Sequence, residues 1–212
     1  MKPNTPAKIL VVDDHYIVRA GLRGLIDQQP DMKVEGEAQN GEEAIRIFKE
    51  LNPDVTIMDL RIPVISGVDA IRAIYRDHPD ARILVLSSFD GDEDIHSALE
   101  AGASGYVLKH SSGDQIIPAI RALMSGHRWI PPEIEKHLDA RNQGETLTTR
   151  EREIVGLLAQ GEANKQIAGL IGITEETVKS HVKNILAKLK VRDRTEAVTV
   201  ALRRGIVHLP EV

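Results

Sequence analysis

The stretch Val55–Pro63, VTIMDLRIP, decides the fold of the first half of the chain. Its first four residues, Val55–Met58, are apolar or β-branched, which is typical of a short buried strand, and Asp59 follows directly. A carboxylate at the end of a buried strand is costly unless it is exposed or binds a cation. The residues around this stretch must therefore include the groups that Asp59 contacts.

Composition and charge predict two halves with different partners. The chain has 212 residues and no Cys, so it can bury a core but cannot form disulfides. No apolar run approaches the ~20 residues of a membrane span, so we expect a cytoplasmic protein. Residues 1–146 carry a net charge of −8 and residues 147–212 carry +3. An acidic half suits a cation, and a basic tail suits a polyanion such as DNA.

Short apolar runs alternate with amphipathic stretches from residue 7 to about residue 125. They predict strands at residues 8–12, 33–37, 55–58, 83–86 and 105–108, and helices at residues 19–28, 42–51, 68–76, 92–101 and 114–124. This alternation is typical of the α/β class, with a doubly wound, five-stranded parallel sheet covered on both faces. Pro118 lies inside the fifth helix pattern, so that helix should begin late or be kinked.

The chain then changes character twice. Residues 126–145 contain a Pro pair, charges and a Gly, and we interpret them as a linker with a short helix at residues 132–138. After Leu147 the pattern is helical only. The expected domains are therefore residues 1–125 and residues 146–212, the second being a small all-α domain.

Polar side chains follow four of the five predicted strands. They are Asp13 and Asp14 after the first strand, Asp59 after the third, Ser87 at the end of the fourth and Lys109 after the fifth. Parallel sheets bind ligands outside the carboxyl ends of their strands, so these groups should meet. Three carboxylates suit Mg²⁺, and a hydroxyl with an ammonium suits a phosphate. The set predicts a site for phosphoryl transfer.

These residues resemble the site of a response-regulator receiver domain, a flavodoxin-like fold, over residues 7 to about 125. The resemblance implies that Asp59 accepts a phosphoryl group from the phosphohistidine of a sensor histidine kinase. It also implies that Asp14, Asp59 and the backbone carbonyl of Arg61 bind Mg²⁺, with Asp13 acting through a water molecule. Such a domain is not a turnover enzyme, because it supports only its own phosphoryl transfer and slow autodephosphorylation.

The same resemblance implies a switch. Ser87 would bond the new phosphoryl oxygen and Lys109 would pair with it. Tyr106 would change rotamer together with Ser87, although an ordinary half-buried strand aromatic is an equal alternative for this residue.

The tail contains a helix-turn-helix pattern. Thr148 and Glu151 form a capping-box pattern before a first helix. Asn164 is placed to cap a short helix that ends at Gly172, and Thr174 is placed to cap a longer one. The longer helix is apolar on one face and carries lysines on the other. This arrangement is typical of a module whose second helix enters the major groove of double-stranded DNA.

The segments LTTRERE, NKQIA and TVKSHVKNILAKLKV resemble the LuxR-type DNA-binding domain, a four-helix module, over residues 146–208. The resemblance implies that the residues in contact with base edges are Lys179, Ser180 and Lys183. It implies that the residues in contact with the DNA backbone are Lys165, Thr177, His181 and Lys188. A structural role is an equal alternative for His181. Together the two halves resemble the NarL/FixJ family, in which phosphorylation promotes homodimerisation or frees the DNA-reading helix.

Three other functions compete with this interpretation. A phosphohydrolase of the haloacid-dehalogenase type would carry a D-x-D pattern on its first strand, whereas this strand ends in adjacent Asp residues. A lactone-binding regulator would need an aromatic-rich pocket, and only 3% of the residues are aromatic. An atypical receiver that binds DNA independently of phosphorylation is the main alternative.

Overall fold

Five parallel strands form the first unit of the protein in a computed structural model, which describes residues 5–88, 90–110, 113–132, 134–135 and 146–208. The strands are β1 (Ala7–Val12), β2 (Met32–Ala38), β3 (Val55–Met58), β4 (Ile83–Ser87) and β5 (Gly105–Leu108). They pair in the order β2-β1-β3-β4-β5. The doubly wound, five-stranded parallel sheet is the predicted architecture, and the direction of the strand order reverses between β1 and β3.

Helices cover both faces of the sheet. They are α1 (Tyr16–Ile26), α2 (Gly41–Leu51), α3 (Gly67–Asp77), α4 (Asp92–Glu100) and α5 (Ile116–Met124). Alternate residues of β1, such as Ile9 and Val11, pack in one core with residues of α1 and α5. Leu10 and Val12 are buried on the opposite face. The strands are therefore buried on both sides, which explains why their sequences are continuous apolar runs.

The pairing of β1 with β3 sets the position of the first acidic residues. Val12 lies opposite Met58, and the backbone N–H of Asp59 donates a hydrogen bond of 2.9 Å to the carbonyl oxygen of Val12. Asp13 and Asp59 therefore leave neighbouring strands at the same edge. At the other side of that edge, the backbone N–H of Lys109 donates to the carbonyl oxygen of Ser87 at 2.8 Å.

Two helix starts differ in how well the sequence predicts them. The first helix begins at Tyr16, three residues before the predicted start at Arg19. Tyr16 and Ile17 are 73% and 83% exposed, so neither contributes to the apolar stripe that the prediction used. The late start of the fifth helix is confirmed, because a 3₁₀ turn at Gly113–Gln115 precedes it and Pro118 falls in its first turn.

Part of the predicted linker extends the first unit, which continues to Ile134. The backbone of Trp129 forms a parallel bridge beside β5, accepting from the N–H of Tyr106 at 2.9 Å and donating to the oxygen of Ser104 at 3.2 Å. This bridge covers the edge of the sheet. Of the predicted helix at residues 132–138, Pro132, Ile134 and Glu135 are helical and the rest lies outside the described residues. The domain limits at residues 125 and 146 stay predictions.

Four helices form the second unit within residues 146–208. They are α6 (Thr149–Ala159), α7 (Asn164–Ile171), α8 (Glu175–Leu189) and α9 (Arg194–Arg203). The capping box of Thr148 and Glu151 is confirmed, and so is the Thr174 cap of α8. The predicted cap at Asn164 is wrong, because Asn164 is already helical and Ala163 precedes it as the N-cap. The side chain of Gln166 accepts the Ala163 N–H at 2.8 Å instead.

The core of this unit joins all four helices. It contains Ile154, Val155, Ile167, Val178, Ile185, Leu189, Ala197 and Ala201. Gly172 follows α7 in the left-handed conformation (φ 70°), and only three residues separate α7 from α8. This short turn with its Gly matches a helix-turn-helix. Among the described residues, no helix combines the length and apolarity needed to cross a membrane.

Candidate functional site

An ammonium group joins two buried carboxylates at the carboxyl edge of the sheet. The Nζ atom of Lys109 lies 2.6 Å from Oδ2 of Asp59 and 2.7 Å from Oδ2 of Asp13. Asp13 is 1% exposed and Asp59 is 3% exposed. The structure therefore brings together acidic residues from β1 and β3 and the lysine after β5, as the strand ends predict.

Burial and charge set the protonation of this cluster. Burial is the main cause that raises the pKa of Asp59, and the negative charge of Asp13 adds to it, against the lowering effect of Lys109. Burial opposes the charged form of Lys109, but its hydrogen bonds to Asp13 and Asp59 outweigh burial and raise the pKa of this lysine. The Lys109 side chain therefore stays positively charged. Asp59 is harder to ionise than an ordinary aspartate, and a further cation beside it would favour its charged form.

A second group of ligand atoms lies beside this pair. One ligand atom each from Asp13, Asp14 and His15 lies within 4.8 Å of the other two. Oδ1 of Asp14 is buried, and Nδ1 of His15 lies 2.8 Å from it. Carboxylate oxygens are the ligands that Mg²⁺ prefers. The chemistry of these residues therefore fits the divalent cation that the receiver resemblance implies.

The loop after β3 carries the remaining predicted ligands. Oδ1 of Asp59 accepts the backbone N–H of Arg61 at 3.3 Å, so the backbone of Arg61 is close to the carboxylate. Asp59 is not part of the three-residue cluster of Asp13, Asp14 and His15. Val64, in the same loop, has φ of 70° and is 76% exposed. A β-branched residue is strained in this conformation, and nothing in the sequence pattern indicates it.

Two residues that hold this edge in place were not among the predicted site residues. A Cβ atom at Gly67 would overlap the backbone carbonyl oxygen of Asp59, so only glycine allows α3 to begin so close to the site. Nη1 of Arg19 donates to the carbonyl oxygen of Asp13 at 2.7 Å from a side chain that is itself buried. No periodic pattern reveals either contact, because both depend on where β1 and β3 lie.

Ser87 and Tyr106 lie on the two strands that end nearest Lys109. Both are fully buried, so Tyr106 is more enclosed than an ordinary half-buried strand aromatic. Ser87 lies opposite Leu108 in the register of β4 and β5. Their roles in a switch stay predictions.

The outward face of α8 presents the predicted base contacts to solvent. Lys179, Ser180 and Lys183 are exposed, whereas Val178 and Ile185 on the opposite face are buried. Thr177 on α8 and Lys165 on α7 are exposed too, and His181 is partly buried. Nζ of Lys179 lies 3.3 Å from Glu175 and 3.6 Å from Glu176, and hydrogen bonding to Glu175 is the main cause that raises its pKa.

Lys188 differs from the other predicted DNA contacts. Its Nζ atom donates to Oε2 of Glu151 at 2.7 Å, and its side chain is only 22% exposed. Burial opposes the ionised form of Glu151, yet the hydrogen bonds from Lys188 and from Thr148 lower the pKa of this carboxyl. The pair holds α8 to the capping box of α6. A DNA contact by Lys188 stays a prediction, and the structure gives it an internal role.

Family models match both halves of the chain. Residues 9–121 match the response regulator receiver domain, and residues 145–201 match the bacterial regulatory proteins of the luxR family. The chain is 41% identical over 209 residues to the transcriptional regulatory protein LiaR of Bacillus subtilis (strain 168), covering 95% of the chain and 99% of LiaR. It is 40% identical over 206 residues to the response regulator protein VraR of Staphylococcus aureus (strain NCTC 8325 / PS 47), covering 95% and 99%.

Solved structures give the same result. The response regulator ChrA of a heme-sensing two-component system is similar with a TM-score of 0.57 and 34% identity, covering 95% of this chain and 98% of ChrA. RcsB from Salmonella enterica serovar Typhimurium, bound to the promoter P1flhDC in the presence of phosphomimetic BeF3-, is similar with a TM-score of 0.71 and 26% identity, covering 92% and 98%. The chain therefore belongs to the response regulators of the NarL/FixJ type, which join a receiver domain to a LuxR-type domain.

Proposed function

We propose that the protein is a transcription regulator whose DNA binding is controlled by phosphorylation of Asp59 by a sensor histidine kinase. The observation that carries the proposal is the position of Lys109, whose Nζ atom bridges Asp13 and Asp59 at the carboxyl edge of the sheet. A buried aspartate paired with an ammonium has both a nucleophilic oxygen and a cation ready for a phosphoryl oxygen.

In this mechanism a carboxylate oxygen of Asp59 attacks the phosphorus atom of the kinase phosphohistidine. The P–N bond breaks, a P–O bond forms, and the imidazole leaving group takes up a proton. The Lys109 ammonium then pairs with an oxygen of the new acyl phosphate, and the Ser87 hydroxyl donates to another. Lys109 and Ser87 thus bind the phosphorylated product. The proposed site supports phosphoryl transfer to its own Asp59 and slow hydrolysis of the acyl phosphate.

Asp14, Asp59 and the carbonyl oxygen of Arg61 are the groups proposed to bind Mg²⁺, with Asp13 acting through a water molecule. When bound, Mg²⁺ neutralises the charge of the carboxylates and of the phosphoryl oxygens. The raised pKa of Asp59 supports this need, since burial and Asp13 disfavour its ionised form.

DNA reading is proposed for the exposed face of α8. Lys179, Ser180 and Lys183 would contact base edges in the major groove. Lys165, Thr177, His181 and Lys188 are the proposed contacts to the backbone, which set register and salt dependence. RcsB is bound to promoter DNA in its solved structure, which supports this role by similarity. A phosphorylated homodimer in the cytoplasm is the proposed active form.

The test measures DNA binding and solution mass with Mg²⁺, with and without beryllofluoride. Duplexes selected from a random library serve as DNA. We expect the mimic to raise the affinity of the wild type by about tenfold, which is a usual size for allosteric coupling. Asp59→Ala should abolish the response. Asp80→Ala, in an exposed loop away from the site, is the matched control and should respond like the wild type.

The opposite outcome has a definite meaning. If the wild type and Asp59→Ala bind DNA equally in every condition, the receiver does not control the tail. The protein would then be an atypical regulator that binds DNA independently of phosphorylation.

A further inference from the structure

We propose that a cavity at the amino edge of the sheet binds a small molecule that carries a phosphate group, which Arg82 and Arg128 hold. Both arginines line the cavity, whose volume is about 690 Å³. Small-molecule sites usually have volumes of about 300–1,000 Å³. The inference goes beyond the proposed function, because it assigns a second ligand site to the first unit.

The cavity lies at the opposite edge of the sheet from Asp59. Its lining includes residues 79–82, which precede β4, residues 102–104, which precede β5, and residues 126–128, which follow α5. Residues that precede parallel strands lie at the amino edge, whereas Asp59 and Lys109 follow their strands. All of these residues belong to the first unit. A ligand in this cavity would therefore not contact the phosphorylation site.

The two arginines of the cavity lack the partners that other arginines have. Both are exposed, and neither guanidinium group has an interaction partner among the described residues. The other arginines described in the first unit all have a partner, which for most of them is a carboxylate. They are Arg19, Arg23, Arg46, Arg61, Arg72, Arg76 and Arg121. The unpaired guanidinium groups thus occur together at one cavity.

The polar lining suits an anion. Among the described residues that line the cavity, two guanidinium groups outnumber one carboxylate, that of Asp80. Ser104 and His127 add hydrogen-bonding groups. A guanidinium group binds a phosphate through two parallel hydrogen bonds, so the phosphate group matches this lining better than a cation or a purely apolar molecule does.

The same cavity has room for a flat organic ring. Ala103 and Leu123 are buried and form an apolar part of the wall. The ring of Tyr75 lies against Gly102, where a Cβ atom would be 2.3 Å from Cγ of the tyrosine. Tyr75 is nevertheless 41% exposed, so part of its ring is available for stacking. A nucleotide combines a flat base with a phosphate and fits both parts of the lining.

The backbone beside each arginine is fixed by the sheet. The carbonyl oxygen of Arg82 accepts the N–H of Thr56 at 2.9 Å. Directly after Arg128, the N–H of Trp129 donates to the carbonyl oxygen of Ser104 at 3.2 Å. A site built on such fixed positions loses less conformational entropy when a ligand binds.

The experiment measures the binding of AMP and of inorganic phosphate to the full chain by calorimetry. The buffer contains EDTA at constant ionic strength, so that no divalent cation links a phosphate to the acidic edge. We expect Arg82→Ala and Arg128→Ala each to weaken AMP binding by about tenfold, a usual loss for a hydrogen bond to a charged group. Asp80→Asn removes the opposing charge and should strengthen the binding of both probes by about twofold.

Tyr75→Leu separates the ring from the phosphate. It should weaken AMP binding by about fivefold or more, because a base loses its stacking partner. Binding of inorganic phosphate should not change. Urea unfolding of each variant verifies that it is folded.

Arg46→Ala is the matched control. Arg46 lies on α2 and pairs with Glu50, so the variant removes the same charge from the same unit but leaves the cavity intact. It should bind AMP as tightly as the wild type does. An equal loss of affinity in Arg46→Ala and in the two cavity variants would show that binding follows net charge alone, which overturns the inference.

Two further outcomes decide the proposal. If neither AMP nor inorganic phosphate binds at millimolar concentration, the inference is wrong. If inorganic phosphate binds as tightly as AMP and needs both arginines, the phosphate site is supported and its ligand is the phosphate ion rather than a nucleotide. Neither result bears on the phosphorylation of Asp59, because the measurement contains no Mg²⁺ and no phosphoryl donor.

Discussion

The acidic edge of the sheet and the outer face of α8 use charge in opposite ways. At the edge, Asp13 and Asp59 are buried and depend on one lysine, Lys109, for compensation. On α8, Lys179 and Lys183 are exposed, and Lys179 pairs with Glu175 and Glu176 in the first turn of the same helix. A change at the edge should therefore alter folding and protonation together with function. A change on the helix face should alter binding alone.

The largest effect is expected for Gly67→Ala. The added Cβ would overlap the carbonyl oxygen of Asp59, and neither backbone segment can give way without moving the site. Overpacking of this kind costs about 2–3 kcal/mol, so the midpoint of urea unfolding should fall accordingly. Phosphorylation by acetyl phosphate should be lost at the same time, because Asp59 would be displaced.

A second glycine provides the control for this variant. Gly24 lies in α1, and a Cβ at that position would meet no atom within 4 Å. Gly24→Ala should stabilise the protein by about 0.5–1 kcal/mol, since alanine favours a helix interior. A destabilisation of similar size in both variants would show that the close approach to Asp59 is not the cause.

The next effect is expected for Lys188→Ala. This lysine lies on α8, yet it behaves like a residue of the acidic edge because it compensates the buried Glu151. Removing it leaves a buried carboxylate without its charged donor, which costs about 1–2 kcal/mol at neutral pH. Unfolding by urea at several pH values measures this cost.

The pH dependence of that cost follows from Glu151. The folded pKa of Glu151 lies below its ordinary value of 4.5, so its contribution to stability is present above about that pH. It is lost as the pH falls through the lowered folded pKa. The difference between Lys188→Ala and the wild type should therefore be full at pH 7 and shrink in acid. A constant difference at all pH values would contradict the role of the ion pair.

A gain in stability of about 1 kcal/mol at neutral pH is expected for Asp59→Asn in the absence of metal, since functional sites often sacrifice stability. The pKa of Asp59 is raised in the folded protein above its ordinary value of 3.8, mainly by burial. The folded state thus holds the proton more tightly, and stability is lost as the pH rises through the folded pKa. The advantage of Asn should therefore be full above the raised folded pKa of Asp59 and disappear below about pH 3.8.

Mg²⁺ should reverse this order. At a hundred times its dissociation constant, a ligand stabilises the native state by about 2.7 kcal/mol, and the wild type should gain more than Asp59→Asn. Thermal melts with and without Mg²⁺ measure both effects. Equal stabilisation of the two proteins by Mg²⁺ would mean that Asp59 is not a metal ligand.

The same contrast explains how far the sequence alone could predict the molecule. The strand at Val55–Met58 and the helix start before Pro118 are confirmed, because apolar runs and prolines act through local geometry. The convergence of the acidic residues also followed from their positions at the carboxyl ends of parallel strands, where ligands bind. The close approach of Gly67 to Asp59 could not be predicted in the same way, because it depends on the loop that joins β3 to α3.

Contacts between distant residues were outside the reach of sequence patterns for the same reason. The resemblance to the LuxR-type domain implies a DNA contact for Lys188, but the partner of Lys188 in the fold is Glu151, 37 residues away in the chain. Asn164 has a side chain that favours an N-cap, but the side chain of Gln166 satisfies the Ala163 N–H and the helix begins one residue earlier than predicted. Each case shows a tertiary or neighbouring side chain overriding a local preference.

The smallest effect on folding is expected for Lys183→Ala, which isolates the helix face. Lys183 is exposed and Lys188 is not, although both lie on α8 within two turns of each other. An exposed lysine contributes little to stability, so unfolding should change by less than about 0.5 kcal/mol. Binding to DNA should nevertheless weaken. If Lys183 neutralises one phosphate, the slope of log K against log salt should fall by about 0.9, whereas a base contact weakens binding to the selected duplex with little change in slope. The salt titration therefore separates the two roles of Lys183, and an unchanged affinity would remove it from the interface.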